Sequence, residues 1–200
     1  MSLLESSENH LIVAKDLAYQ TNFNRKQLIY ITNNFHILFL IRDPHKTIPS
    51  NLFPYSESGT LDSFQIEAIG YQDLGLLFNR FIKETQTKPW VIEAEEYLKN
   101  PGKILPKYFH RFGLEWHDSY LNLKPKTAEE KKNDPAFLVW ENWYEKAYNS
   151  SGVRKPKKLN AKVPLYKELI EKEKNLIENL LNISLPHYLS IKRQGRLVHL

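Results

Sequence analysis

The sequence predicts an α/β domain built on a parallel sheet. Three observations carry that reading. Short apolar runs at 11–14, 37–41 and 90–92 alternate with longer segments of helical period, the pattern of βαβ units. The run Ile37-Leu38-Phe39-Leu40-Ile41 contains no polar residue, as a strand buried on both faces requires. The 200 residues are 42% hydrophobic and 12% aromatic, enough to bury one core.

The elements follow in order. Leu11-Ile12-Val13-Ala14 reads as a short buried strand. Residues 25–33 read as a helix with Leu28 and Ile31 on one side. The strand 37–41 ends at Arg42, and Asp43-Pro44 breaks it, because proline fixes φ and lacks an N–H. Thr47 to Leu52 starts a helix, with Pro49 early enough to be tolerated, and Ser56 to Gly59 form a loop. Asp62 to Gln86 reads as one long helix with Phe64, Ile69, Leu74, Leu77, Phe78 and Phe81 on its apolar face and Gly70 and Gly75 as weak points. Pro89 stops it, and Trp90-Val91-Ile92 is the next strand. Pro101 opens a helix that turns Ile104, Leu105, Tyr108 and Phe109 inward, and Gly113 caps it. Pro135 to Tyr148 is an aromatic helix. Pro164 to Asn182 is amphipathic through Leu165, Leu169, Ile170, Leu176, Ile177 and Leu180. No internal repeat is visible.

Composition excludes several classes. There is no cysteine, so disulfides and thiolate metal sites are ruled out, and a cytoplasmic location is expected. No apolar run approaches the roughly 20 residues that cross a bilayer, and the first residues lack the apolar core of a signal peptide. The net charge of +5 is uneven: residues 1–150 carry −2 and residues 151–200 carry +7. The densest basic stretch is Arg154 to Lys162, which reads as a solvated linker; nucleic acid is not the expected partner. The chain is therefore read as an α/β core over 1–153, followed by a basic linker and C-terminal helices of the same domain over 154–200.

The segment Phe39 to Ser50, FLIRDPHKTIPS, carries the chemistry. An arginine at the carboxyl end of a buried strand, with a hydroxyl eight residues on, suits a phosphate monoester. In open α/β sheets, ligands bind at that end of the strands. The bland alternative makes Arg42 a surface arginine and Ser50 a helix cap.

This string resembles the sulfotransferase family, in which an arginine and a serine at this spacing hold the 3′-phosphate of 3′-phosphoadenosine-5′-phosphosulfate (PAPS). Further pieces match in order. Glu95-Glu96-Tyr97-Leu98, Asn100-Pro101 and Phe112-Gly113-Leu114 resemble the family's acidic strand end, helix start and turn. Asp134 to Val153 resembles the "W-x-x-W-Y" segment of a sulfotransferase-like branch, and Val13 to Tyr19, VAKDLAY, resembles the branch's "IKDMAY". The resemblance runs from about Leu11 to about Val153, and weakly to LPHYLS near the end. It implies a three-layer, P-loop NTPase-like α/β domain, with Arg42 and Ser50 binding PAPS or its product adenosine-3′,5′-bisphosphate.

One departure from the family is large. Its members hold the 5′-phosphosulfate in a glycine- and serine-rich loop, by backbone N–H groups. None of the seven glycines here stands in such a context, so an amino-terminally incomplete domain is expected, and a chain inactive alone. The resemblance places the catalytic groups just after the first strand. Lys15 would stabilise the departing phosphate and Asp16 would accept the acceptor's proton; for Asp16 a turn or helix cap is the structural alternative. The family's histidine is not in place: His10 and His36 flank strands, His45 follows the arginine, and His110 and His117 lack zinc-ligand spacing. The expected activity is transfer of a sulfuryl group to a hydroxyl or amine of a small-molecule or glycan acceptor. The alternatives are a binding or regulatory protein that kept the fold, and another P-loop transferase such as a small-molecule kinase.

Overall fold

A computed structural model of the chain describes residues 14–21, 23–153 and 163–197. Of the expected first strand, residues 11–13 lie outside the described residues, and Ala14 is irregular. The basic run 154–162 also lies outside them.

Asn24 and Gln27 open α1 (Arg25–Asn34) with a reciprocal capping box, which satisfies two of the helix's orphan N–H donors. Strand β1 (Leu38–Ile41) follows. The Asp43 carboxylate then accepts the His45 N–H at 3.0 Å and starts α2 (Pro44–Glu57). This helix begins earlier and ends later than expected. Pro44 sits in its first turn, where no N–H is needed, and the helix continues past Pro49 and Pro54.

The long helix expected over 62–86 is corrected. Residues Leu61–Ser63 and Ile66–Ile69 form 3-10 turns, and α3 spans only Tyr71–Thr85. The break falls at Gly70, whose φ of +70° lies in the left-handed region, a conformation glycine adopts without penalty. Strand β2 (Trp90–Glu93) leads directly into α4 (Ala94–Lys99) and α5 (Pro101–Arg111). Then come α6 (Ala128–Lys132) and α7 (Pro135–Tyr148). The helix expected over 164–182 is divided at Glu173 into α8 (Val163–Lys172) and α9 (Lys174–Gln194), and α9 runs on through Pro186. A two-residue strand, β3 (Arg196–Leu197), closes the described chain.

The three strands form one sheet in the order β1-β2-β3, parallel throughout. Leu38 lies opposite Trp90, and Trp90 opposite Arg196. On one face Phe39, Ile41 and Val91 are buried against Tyr71, Phe78 and Phe81 of α3 and Tyr188 and Ile191 of α9. The Phe39 and Phe78 rings meet edge to face at 5.2 Å, the arrangement ring quadrupoles favour. Behind this layer, α2 sets Ile48, Leu52 and Phe53 against Leu169 of α8 and Ile177 and Leu180 of α9. On the opposite face Ile92 packs with Ile104 and Tyr108 of α5. Helical residues thus pack on both faces of the small parallel sheet. Cover on the second face is partial: Leu38 and Leu40 of β1 are 39% and 58% exposed. Among the described residues no helix is long and apolar enough to cross a membrane.

Candidate functional site

Parallel strands end on a common edge, so the residues following β1 and β2 lie together there. Arg42 follows β1 and Glu93 ends β2. Ile41 and Glu93 are partners in the ladder. The carboxyl edge therefore collects Arg42, Asp43 and Lys46 from the β1–α2 connection and Glu93 and Glu95 from the β2–α4 junction.

Glu95 is the hub of this group. One of its oxygens lies 3.6 Å from Arg42 Nε and 3.6 Å from Lys46 Nζ. The other accepts the Asp43 backbone N–H at 3.2 Å. The Glu95 side chain is 16% exposed, whereas Arg42 and Lys46 are 43% and 54% exposed. The arrangement is thus an anion position, with two cations and a main-chain N–H converging on one carboxylate. Two fixed groups flank it. The Asp43 carboxylate also meets the His45 ring at 3.0 Å. Burial raises its proton affinity, but the His45 N–H, the His45 ring and the Lys46 charge outweigh burial and hold it below the usual value. The Tyr71 hydroxyl donates to the Arg42 carbonyl and meets the Thr47 hydroxyl at 3.0 Å. Burial pushes that phenol up to about 12, so it stays neutral and fixes the chain on both sides of Asp43.

Glu93 makes a second contact on the same edge. It accepts from the Tyr188 hydroxyl and from Lys192 Nζ, the latter at 2.8 Å. Burial raises the carboxyl, while the Lys192 and Tyr188 hydrogen bonds and the Lys192 charge overcome that and leave it below the usual range. Burial and the Glu93 carboxylate both push the Tyr188 phenol upward.

Arg42 stands at the carboxyl end of a parallel strand, paired with Glu95. Ser50 is exposed in α2, well inside the helix rather than at its cap. Lys15 and Asp16 are exposed in an irregular stretch before the 3-10 turn Ala18–Gln20, and Asp16 accepts the Leu17 N–H at 2.8 Å. That turn leans on the start of α3, where Tyr19 would lie 3.7 Å from a Cβ on Gly70, next to Tyr71. Among the described residues neither Lys15 nor Asp16 pairs with Arg42. Two cavities, of about 260 and 240 Å³, are lined by other residues; Arg42, Ser50, Lys15 and Asp16 line neither. Sequence analysis places Glu95 only in an acidic strand end. Lys46 and Tyr188 lie in the segments FLIRDPHKTIPS and LPHYLS, but nothing in the sequence pairs them or Lys192 with Glu95 or Glu93, because only the fold brings them close.

Comparisons with protein-family models, with curated proteins and with solved structures return no match for this chain.

Proposed function

We propose that the chain is a sulfotransferase-like α/β unit whose carboxyl sheet edge takes the 3′-phosphate of an adenosine nucleotide. The observation that supports this is the anion position after β1. Arg42 and Lys46 face one oxygen there and the Asp43 N–H faces the other, and the Glu95 carboxylate stands where a phosphate oxygen would. Arginine matches phosphate in bidentate fashion, and lysine adds a point charge. Ser50, two turns along α2, supplies a further donor. These residues fit the 3′-phosphate of PAPS. No glycine-rich segment of the sequence fits the 5′-phosphosulfate.

In the full reaction, the acceptor oxygen attacks sulfur and the sulfur–oxygen bond to the 5′-phosphate breaks. Asp16 takes the acceptor's proton, and Lys15 balances the charge that gathers on the departing phosphate. Adenosine-3′,5′-bisphosphate leaves. An intracellular enzyme is proposed, in keeping with the absence of cysteine.

Calorimetric titration tests the reading. Adenosine-3′,5′-bisphosphate is expected to bind about ten- to a hundredfold more tightly than AMP, the effect of a charged contact of roughly 1.5–3 kcal/mol. Arg42→Ala is expected to abolish that preference. Equal affinities for the two nucleotides in the unaltered chain would count decisively against it.

A second reading draws on the same Glu95 contact. A carboxylate already seated between Arg42 and Lys46 also suits a fold-retaining binding or regulatory protein, in which the cluster ties β1, α2 and α4 together.

A further inference from the structure

We propose that the amino-terminal edge of the sheet, opposite Arg42, is a binding site for a small aromatic oxyanion, a single ring bearing a doubly charged group. The larger cavity, about 260 Å³, opens at this edge where β1, β2 and β3 begin. Its lining includes Lys88, Arg111 and Arg196 and contains no aspartate or glutamate. The Arg111 guanidinium lies 5.3 Å from the centre of a Trp90 ring, and that of Arg196 lies 5.8 Å from it. His36 stacks on Phe112 at 4.6 Å, with the planes 14° apart.

Charge separates this edge from the other one. At the carboxyl edge Arg42, Lys46 and Lys192 each face a glutamate. Among the described residues Lys88, Arg111 and Arg196 have no carboxylate within 4.0 Å. Three cations around one concavity, with no described carboxylate against them, form a field that draws an anion of more than one charge. Two of them are arginines, whose forks match phosphate or a like oxyanion.

Size and walls narrow the class. The cavity falls just short of the roughly 300 Å³ at which sites for drug-sized ligands begin, so one ring fits better than a nucleotide. Phe35, Phe81, Trp90 and Phe112 supply apolar wall for that ring. This inference does not rest on the sulfotransferase reading, because it concerns other residues on the other edge.

Phenyl phosphate is the probe, with phenol and inorganic phosphate as its two halves. Binding to the full 200-residue chain is measured by calorimetry, and the Trp90 indole proton is followed by NMR. Phenyl phosphate is expected to bind at least about tenfold more tightly than either half, to shift the Trp90 signal saturably and to weaken as salt rises. Arg111→Ala, Arg196→Ala and the exposed Lys88→Ala are each expected to lower the affinity, the arginine changes by about tenfold. Lys88 is exposed and makes no cation–π contact among the described residues, so its variant and the three-ligand comparison on the unaltered chain decide the matter even where an arginine variant fails to fold. The proposal is overturned if inorganic phosphate binds as well as phenyl phosphate, if Lys88→Ala leaves the affinity unchanged, or if the shifts centre on Arg42. Tighter binding of a single-stranded oligonucleotide than of phenyl phosphate would overturn the small-molecule assignment. Arg111→Ala is expected to keep any preference for adenosine-3′,5′-bisphosphate over AMP; its loss would overturn the independence of the two edges.

Discussion

Replacing Glu95 by glutamine removes one negative charge from the cluster and keeps the side chain's shape. The amide oxygen can still accept the Asp43 N–H. What is lost is the attraction to Arg42 and Lys46, each 3.6 Å away. At an effective dielectric of 20 each contact amounts to roughly 4–5 kcal/mol as an upper bound. Both cations are more than two-fifths exposed but the shared carboxylate is largely buried, so each pair is worth about 0.5–1 kcal/mol, the upper half of the range for solvent-screened pairs. Together they are worth about 1–2 kcal/mol. An incoming phosphate must displace this intramolecular rival, so Glu95→Gln hands the same amount from folding stability to ligand affinity. Thermal unfolding is expected to fall by about 2–8 °C for a chain of this size. Calorimetry is expected to show adenosine-3′,5′-bisphosphate binding about five- to thirtyfold more tightly. A lowered melting temperature with unchanged or weaker nucleotide binding would refute the phosphate assignment and leave Glu95 as a structural tie, as the second reading holds. An unchanged melting temperature would refute the pairing itself.

Two further outcomes concern the framework. The Glu93 carboxyl is held below its usual value, so its contribution is full above the unfolded carboxylate's titration and is lost as pH falls through the folded one; Glu93→Gln is therefore expected to flatten the loss of stability on the acid side, read from urea midpoints at about pH 7 and about pH 3.5. A variant with the same acid-side slope as the unaltered chain would exclude this pair as its source. Gly195→Ala would set a Cβ 2.2 Å from Val91 Cγ2 and 2.9 Å from the Ile191 carbonyl oxygen. Val91 is fully buried and the carbonyl belongs to α9, so a destabilisation of about 1–3 kcal/mol is expected, with an unchanged urea slope; unaltered stability would show that the overlap is relieved at no cost.

The legible parts of the fold were those with local causes. The strand at 37–41 and the helix at 101 stand out because proline marks their boundaries and their interiors are apolar. The single helix expected over 62–86 failed because an apolar face with a period of 3.6 passes through 3-10 turns almost unchanged. What decides the break is one backbone angle at Gly70. The division at Glu173 has no such mark, and β3 is too short to register as a run. At the site, Arg42 was legible from its place after an apolar strand. Its partner Glu95 stands 52 residues on, and Lys192 stands 99 residues from Glu93; such pairs exist only once the sheet and α9 have formed. Ser50 shows what spacing alone leaves open: eight residues from an arginine is a sequence fact, and α2 turns it into a helical rise that sets the hydroxyl on an exposed turn, one turn beyond Lys46.

Strand β1 has a consequence for how the protein behaves as a material. Among the described residues no strand pairs with its outer edge, and Leu38 and Leu40 lie open beside it. Unpaired ladder groups next to exposed leucines are a template for another molecule's strand. A strand laid along such an edge would take up the open ladder groups and cover the leucines. The brevity of the strand, four residues before the charged Arg42 and Asp43, caps the length of such a seam and so restrains runaway growth.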